Sequence, residues 1–469
     1  MRSKIGALLG PLAFVVIWFM EMPLPPEAHR LAAVAALVII YWITEPVPIP
    51  VTALLGSALC ILVGVAPAQI VLAPYADPII FLFLGAFLVG EAMVSAGLDA
   101  RVAHSVLAIP ALSSTPLRLT VTLSFLTMAL SMWMSNTAAA AIMMPLALSM
   151  IRTRQTGGHS SVGGDTVVLS VAYAASIGGI ATPIGTPPNL IAIGFLERNS
   201  GFHLGFLPWM KLGLPLALFL MLALFLLSAV TLRRARGGAH GAPGRLPAWT
   251  RAEKSVAAVF ACMVLTWLLP SILGFLAPAH IAEVANKRLP ESAVALFGAL
   301  ALFMLPEQTR PYRPVLKWEQ TARIDWGTIL LFGGGLSLGG LVLSTGLGKW
   351  AGELVLRATG VQSHFGLIAL AAGTAVVLTE FMSNTAATNV VIPVVYAMAT
   401  GMNLDPTTAV LAAAFGASMG FMFPIGTPPN AIAYGTGLVT IPQMIRRGVL
   451  FDAMAFVVIA TWVTLVRAR

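Results

Sequence analysis

Apolar runs long enough to cross a bilayer recur from one end of this chain to the other, and they leave very few folds open to it. A hydrocarbon core of ~30 Å takes about 20 residues of helix, and stretches of that character stand around 5–20, 31–43, 79–94, 212–232 and 256–269. In lipid every backbone N–H and C=O must find its partner inside the protein, so a chain with many such runs has to form a bundle of membrane helices. The composition agrees, with 58% hydrophobic residues, 10% charged residues and a mean hydropathy of +0.90. Soluble domains of 469 residues do not have this balance. The first run is followed by acidic and proline residues and by more spans, where a signal peptide would carry a small-residue cleavage site, so it is expected to stay as a helix.

The net charge of +9 does not point to nucleic acid. Lys and Arg sit between the apolar runs and form no basic face interleaved with aromatics; the positive-inside rule accounts for them. Arg2 and Lys4 open the chain, and Arg233, Arg234, Arg236, Arg245, Arg251 and Lys254 cluster in a Gly/Pro-rich stretch at mid-chain. Both groups are expected on the cytoplasmic side, which puts the N-terminus inside, in a plasma membrane of bacterial type. Cys60 and Cys262 each lie within an apolar run and read as small buried residues, with no disulfide.

The second constraint is a duplication. Ser135-Asn136-Thr137 is followed by Gly185-Thr186-Pro187-Pro188-Asn189, and Ser383-Asn384-Thr385 by Gly426-Thr427-Pro428-Pro429-Asn430. Met-Ser-Asn-Thr-Ala-Ala and Pro-Ile-Gly-Thr-Pro-Pro-Asn are identical in the two copies. Each half is therefore built on one plan, with a first repeat at 1–232, a basic linker at 233–254 and a second repeat at 255–469.

The motifs also break the runs that contain them. Segment 119–151 carries no charge, yet its polar triplet leaves 16 residues before it and 14 after, and neither arm reaches across a bilayer. Two half-length helices joined by a polar tip make a re-entrant hairpin, tolerated at membrane depth only against protein or a wet cavity. A second hairpin is expected at 364–401. Gly-Thr-Pro-Pro interrupts another apolar stretch in each half, with Thr as N-cap and the first Pro at the first helical position. Counted this way, the chain is an all-α membrane protein of about 11 transmembrane helices, six in the first repeat and five in the second, plus two re-entrant hairpins. The odd count turns the second half upside down relative to the first.

A helix that starts at such a tip points unpaired N–H groups and a positive dipole end at whatever lies there, which suits a carboxylate. The arm that ends there contributes carbonyl oxygens, as does unwound backbone at Gly185 and Gly426, and these suit Na⁺. There is no Lys or Arg in 119–151, 167–197 or 358–445. A di-anion held at mid-membrane must then be balanced by helix ends, each worth about half a charge, and by co-bound cations. An intramembrane enzyme would need a nucleophile with a base or a metal cluster, and no motif for either is present. Glu380 beside the second tip reads as a structural carboxylate bonded to nearby backbone, and Glu91 as one that pairs internally.

The residues that carry these features, TEPVPIPVTALL at 44–55, SMWMSNTAAAAIMMP at 131–145, TEFMSNTAATNVVIP at 379–393 and both GTPPN segments, resemble the divalent anion/sodium symporter family along nearly the whole chain. That family carries dicarboxylates, citrate or sulfate. The resemblance implies a homodimer with a scaffold domain and a transport domain that moves as an elevator, and sodium-coupled symport of C4-dicarboxylates such as succinate, malate or fumarate, without an organic cofactor. It implies a first sodium site at Ser131, Ser135, Asn136 and the Gly185 backbone, and a second at Thr379, Asn384 and backbone oxygens of Met382 and Gly426. Substrate carboxylates would meet Asn136, Thr137, Asn384 and Thr385, with Thr186, Thr427 and Pro428 closing the pocket. A sodium-independent dicarboxylate exchanger is the alternative, as is citrate or sulfate as substrate; an exchanger is expected to carry a basic residue in place of a sodium ligand, and none stands at the tips.

Overall fold

Prolines and short polar side chains set where the helices begin. The computed structural model describes residues 2–107, 109, 115–156, 163–232, 248–309 and 311–467. Pro78, Pro116, Pro187, Pro406 and Pro428 each open a helix, a position where the missing N–H costs nothing. Asp77 caps Pro78–Ala96 by accepting Ile79 N at 3.1 Å, and Thr115 caps Pro116–Ser131 by accepting Arg118 N at 3.2 Å. Gly97, at φ 76°, ends the first of these helices in the left-handed conformation that glycine adopts without strain. Outside the helices, the described residues form one small antiparallel β-hairpin, Pro306–Thr309 with Tyr312–Pro314.

Seven helices among the described residues are long and apolar enough to cross a bilayer: Arg2–Phe19, Pro26–Thr44, Ala68–Ala96, Phe206–Leu232, Arg251–Leu276, Trp326–Ser344 and Ile441–Val466. An eighth arises if Leu347–Thr359 and His364–Thr379, bent by 103°, count as one. Shorter apolar helices make up the rest, among them Ile49–Leu62, Pro116–Ser131, Asn136–Ile151, Glu291–Met304 and Pro406–Ala417. Eleven crossings therefore require short helices to share a crossing, because polar residues split several of the apolar runs.

The helices pack in three groups. Arg2–Phe19, Pro26–Thr44 and Ile49–Leu62 pack in succession, and Pro78–Ala96, Arg251–Leu276 and Glu291–Met304 pack on one another. A third group gathers the two motif-bearing helix pairs with Gly164–Gly179, Pro406–Ala417 and Ile441–Arg467. Helix Trp326–Ser344 lies between the first and the third, against Ile49–Leu62 on one side and Asn384–Gly401 on the other. Gly335 permits that approach, since a Cβ there would sit 2.1 Å from Asn389 Oδ1. Lipid tails are as apolar as Leu, so close packing of small residues has to drive such contacts. Gly178 shows the same device: a Cβ on it would come within 2.4 Å of the Met128 carbonyl oxygen.

The outer surface is apolar, as lipid requires: Leu8, Phe19, Leu276 and Phe297 are each more than three-quarters exposed. Cys60 is buried as its sequence context suggests, but Cys262 is exposed. It lies on Arg251–Leu276, whose outer face also shows Leu265, Ile272 and Phe275. Of the linker assigned to 233–254, residues 233–247 lie outside the described residues. Arg251 and Lys254 already belong to the first turn of the following helix, where Glu253 is buried against Arg101 at 2.6 Å.

Candidate functional site

Both polar triplets fall at helix breaks. Pro116–Ser131 stops and Asn136–Thr156 starts after four intervening residues; His364–Thr379 stops and Asn384–Gly401 starts after the same interval. The serine of each triplet caps the second helix, Ser135 Oγ accepting Ala138 N and Ser383 Oγ accepting Ala386 N, both at 3.2 Å. The asparagine and threonine that follow are the first helical residues, so their side chains and the free N–H groups of that turn face the break.

Beneath each tip, oxygens outnumber protons. Ser131 Oγ lies 2.8 Å from Asn136 Oδ1 and 2.6 Å from the Ala175 carbonyl oxygen. Thr379 Oγ1 lies 2.6 Å from Asn384 Oδ1 and 2.7 Å from the Ala417 carbonyl oxygen. A hydroxyl carries one proton and can satisfy only one of those two acceptors. More carbonyls crowd in: a Cβ on Gly185 would stand 2.5 Å from Gly179 O and 3.0 Å from Ser131 O, and one on Gly426 would stand 3.3 Å from Thr379 O and 3.7 Å from Glu380 O. Hard oxygen donors gathered at the negative end of a helix are what a small cation takes in a transporter.

The GTPPN segments hold the second pair of breaks open. Thr186 and Thr427 are the N-caps of Pro187–Ser200 and Pro428–Gly435, as the sequence predicts, although only Thr427 accepts a capping bond, from Asn430 N at 3.4 Å. The final asparagine of each motif spans the unwound turn. Asn189 Nδ2 donates to Gly179 O at 2.8 Å and Thr182 O at 2.7 Å; Asn430 Nδ2 donates to Gly420 O at 3.0 Å and Phe423 O at 3.2 Å. Sequence reasoning left both asparagines without a role; their place at the same point of a duplicated motif, in otherwise apolar surroundings, was the available signal. Glu380 is fully buried and its carboxylate accepts Phe421 N at 2.6 Å, Met422 N at 3.0 Å and Phe423 N at 3.2 Å. This is the structural carboxylate expected of it.

A cavity of about 270 Å³ lies where the tips converge. From the first half it is lined by Ser135, Asn136, Thr137, Gly185 and Thr186, and from the second by Asn384, Thr385, Gly426, Thr427 and Pro428. Ser131, Thr379 and Met382, the other residues proposed from sequence, are buried and do not line it. Among the described residues, no Lys, Arg or His lines it either. The charged side chain among its described lining residues is Asp325, which caps Trp326–Ser344 by accepting Thr328 N at 2.9 Å and Thr328 Oγ1 at 2.5 Å. No cluster of three or more His, Cys, Asp or Glu fit to hold a metal occurs among the described residues.

A helical membrane protein whose broken helices converge from both halves on one polar cavity has the architecture of a secondary transporter. By its sequence, the chain belongs to the family described as the sodium:sulfate symporter transmembrane region, whose model matches residues 3–467. It is 31% identical over 475 residues to the sodium-dependent dicarboxylate transporter SdcS of Staphylococcus aureus (strain USA300), covering 97% of this chain and 89% of that one. The SdcS of Staphylococcus saprophyticus is 31% identical over 473 residues with the same coverage. Among solved structures, the YdaH transporter of Alcanivorax borkumensis is similar with a TM-score of 0.57 at 15% identity, covering 99% of this chain and 98% of that one. MtrF of Neisseria gonorrhoeae is similar with a TM-score of 0.53 at 12% identity, covering 98% and 94%. These two likenesses concern the fold.

Proposed function

We propose that this protein couples sodium to the symport of C4-dicarboxylates such as succinate, malate and fumarate across a bacterial plasma membrane. One observation carries the reading: at each of two matched tips, a hydroxyl, an amide oxygen and a carbonyl oxygen crowd within 2.8 Å with one hydroxyl proton among them, directly beneath a cavity that has no basic residue. The oxygen clusters suit Na⁺. The tips above them offer N–H groups and Thr hydroxyls at positive helix ends, which suit carboxylates.

Asn136 and Asn384 serve both ligands. Each amide turns Oδ1 toward the hydroxyl below, which leaves its N–H₂ side for the cavity. Sodium site one then comprises Ser131, Ser135, Asn136 and the Gly185 backbone, and site two Thr379, Asn384 and the backbone of Met382 and Gly426. Thr137, Thr385, Thr186, Thr427 and Pro428 complete the substrate pocket. The matched hydrogen bonds of the two halves support a repeat of 1–232 and 255–469 with the motif-bearing pairs as re-entrant hairpins; the placing of the basic residues between the apolar runs favours an inverted second half with the N-terminus inside. The motif-bearing helix set would be the transport domain of an elevator, and the set containing Pro78–Ala96 and Arg251–Leu276 the scaffold of a homodimer. The names of the relatives, sodium-dependent dicarboxylate transporters, favour the same cation and substrate class.

Uptake of labelled succinate into proteoliposomes tests this. An inward sodium gradient should drive accumulation, and Asn136→Ala or Asn384→Ala should abolish it while the protein stays folded. Uptake that needs internal dicarboxylate and ignores sodium would establish an exchanger instead.

A further inference from the structure

A second cavity, of about 490 Å³, adjoins the central one around the first tip. Ser135, Thr137, Ile184, Phe87 and Asp325 line both, so the two spaces share a wall that tip one helps to form. Unlike the central cavity, the outer one is lined by Arg323 together with Glu91, and among the described residues by no other Lys, Arg or His. Arg323 ends the short helix Trp318–Arg323 and its side chain is 67% exposed. Among the described residues its ion-pair partner is Glu91, whose Oε1 lies 3.5 Å away. Glu91 is well buried and its Oε1 also accepts Ser95 Oγ at 2.8 Å. A guanidinium has five N–H donors in a planar fork, and one long contact leaves most of that fork directed elsewhere.

We propose that Arg323 forms a staging site in this outer cavity for the carboxylate groups of the substrate, before they reach the tips. The inference rests on the dicarboxylate reading and adds to it the route of approach. Glu91 acts as the positioning residue, holding the guanidinium over the cavity through one edge while the other edge meets the anion. Of the two carboxylates nearby, Glu91 is thus committed to Ser95 and Arg323, and Asp325 is turned back on the N–H and hydroxyl of Thr328. Arg323 stays outside the central cavity, so the anion leaves it on moving inward. Such a group raises the rate of arrival and, by reversibility, the rate of departure, without changing the final affinity. Steering of this kind falls as ionic strength rises.

The experiment measures association and dissociation of labelled succinate on the purified full-length protein in saturating sodium, at the lowest ionic strength that sodium allows and again with choline chloride added to raise it. Arg323→Gln should lower the association rate about tenfold, a size within the usual range of electrostatic steering, and remove most of its salt dependence. Its dissociation rate should fall in proportion, so the equilibrium constant moves less than about twofold. Arg323→Lys should recover much of the rate, as a point charge without the fork, and Glu91→Gln should shift the association rate while Arg323 is intact. An Arg323→Gln protein with wild-type association rate and salt dependence overturns the proposal. So does one whose affinity falls through dissociation alone, which would put Arg323 in the bound complex. Asn136→Ala run beside it separates the two claims: loss of binding there with no effect at Arg323 refutes only the staging site, and normal binding there refutes the central-site reading.

Discussion

Asn189 and Asn430 illustrate how a single amide sustains an unwound helix. Each is fully buried and donates to two carbonyls across the break. Replacement by Ala strands two buried acceptors, and an unsatisfied group of that kind costs about 1–3 kcal/mol. Asn189→Ala is therefore expected to lower the thermal unfolding midpoint of the purified protein and its sodium affinity together, because Gly179 O belongs to both the latch and the oxygen cluster; a midpoint equal to wild type would show the latch to be dispensable. At the opposite end of the same segment, His203 in the connection after Pro187–Ser200 lies 3.2 Å from Glu197 Oε1. The hydrogen bond to Glu197, helped by the charges of Glu197 and Glu291, raises the pKa of the imidazole above 6.5. A raised folded value means that the pair stabilises fully below the unfolded pKa and ceases to as pH rises through the folded one. Thermal stability measured from pH 6 to 9 should decline in part through this group, and His203→Gln should flatten that part of the profile. These pairings were not legible in the sequence, since nothing in a linear pattern tells which carbonyl an amide will reach. The triplets themselves were legible, because a polar group in the middle of an apolar run has few permitted explanations.

At the scale of elements, the positions of the breaks followed from proline, glycine and short polar residues, and the structure puts helix starts at Asn136, Pro187, Asn384 and Pro428. The number of crossings did not follow as readily, because a half-length helix and a short whole one have the same hydropathy. What makes the elements fit is backbone contact at small residues. Gly178 lets helix Gly164–Gly179 lie on the first arm at Met128, and Gly416 does the same for Pro406–Ala417 on Ala372, where a Cβ would stand 2.7 Å from the carbonyl oxygen. Backbone cannot swing aside as a side chain does, and overpacking of this kind costs about 1–3 kcal/mol. Gly178→Val should therefore destabilise the purified protein and weaken sodium binding at site one, as the arm ending in Ser131 is pushed from Ala175; Gly437→Ala, where nothing lies within 4 Å, would report only the strain of a positive φ. Equal midpoints for Gly178→Val and wild type would show that the two helices are not in close contact.

For the molecule as a whole, the account depends on charge balance. In the proposed reading, two substrate carboxylates enter a cavity that no basic side chain among the described residues lines, and the helix ends that face them supply partial charges only. Sodium bound beneath the tips would supply the remainder and would also draw the crowded oxygens into one arrangement, so that the N–H groups above are set for the anion. Linkage makes the effect mutual: if sodium tightens the substrate, the substrate tightens sodium by the same factor. Ser135→Ala or Thr379→Ala is expected to weaken the sodium dependence more than the choice among dicarboxylates, since in this arrangement those hydroxyls serve the ion. The most direct measurement is succinate binding to the purified protein across a sodium titration, with ionic strength held constant by choline. The account predicts an affinity that climbs steadily with sodium until both sites fill; an affinity that stays flat from zero to saturating sodium would contradict it.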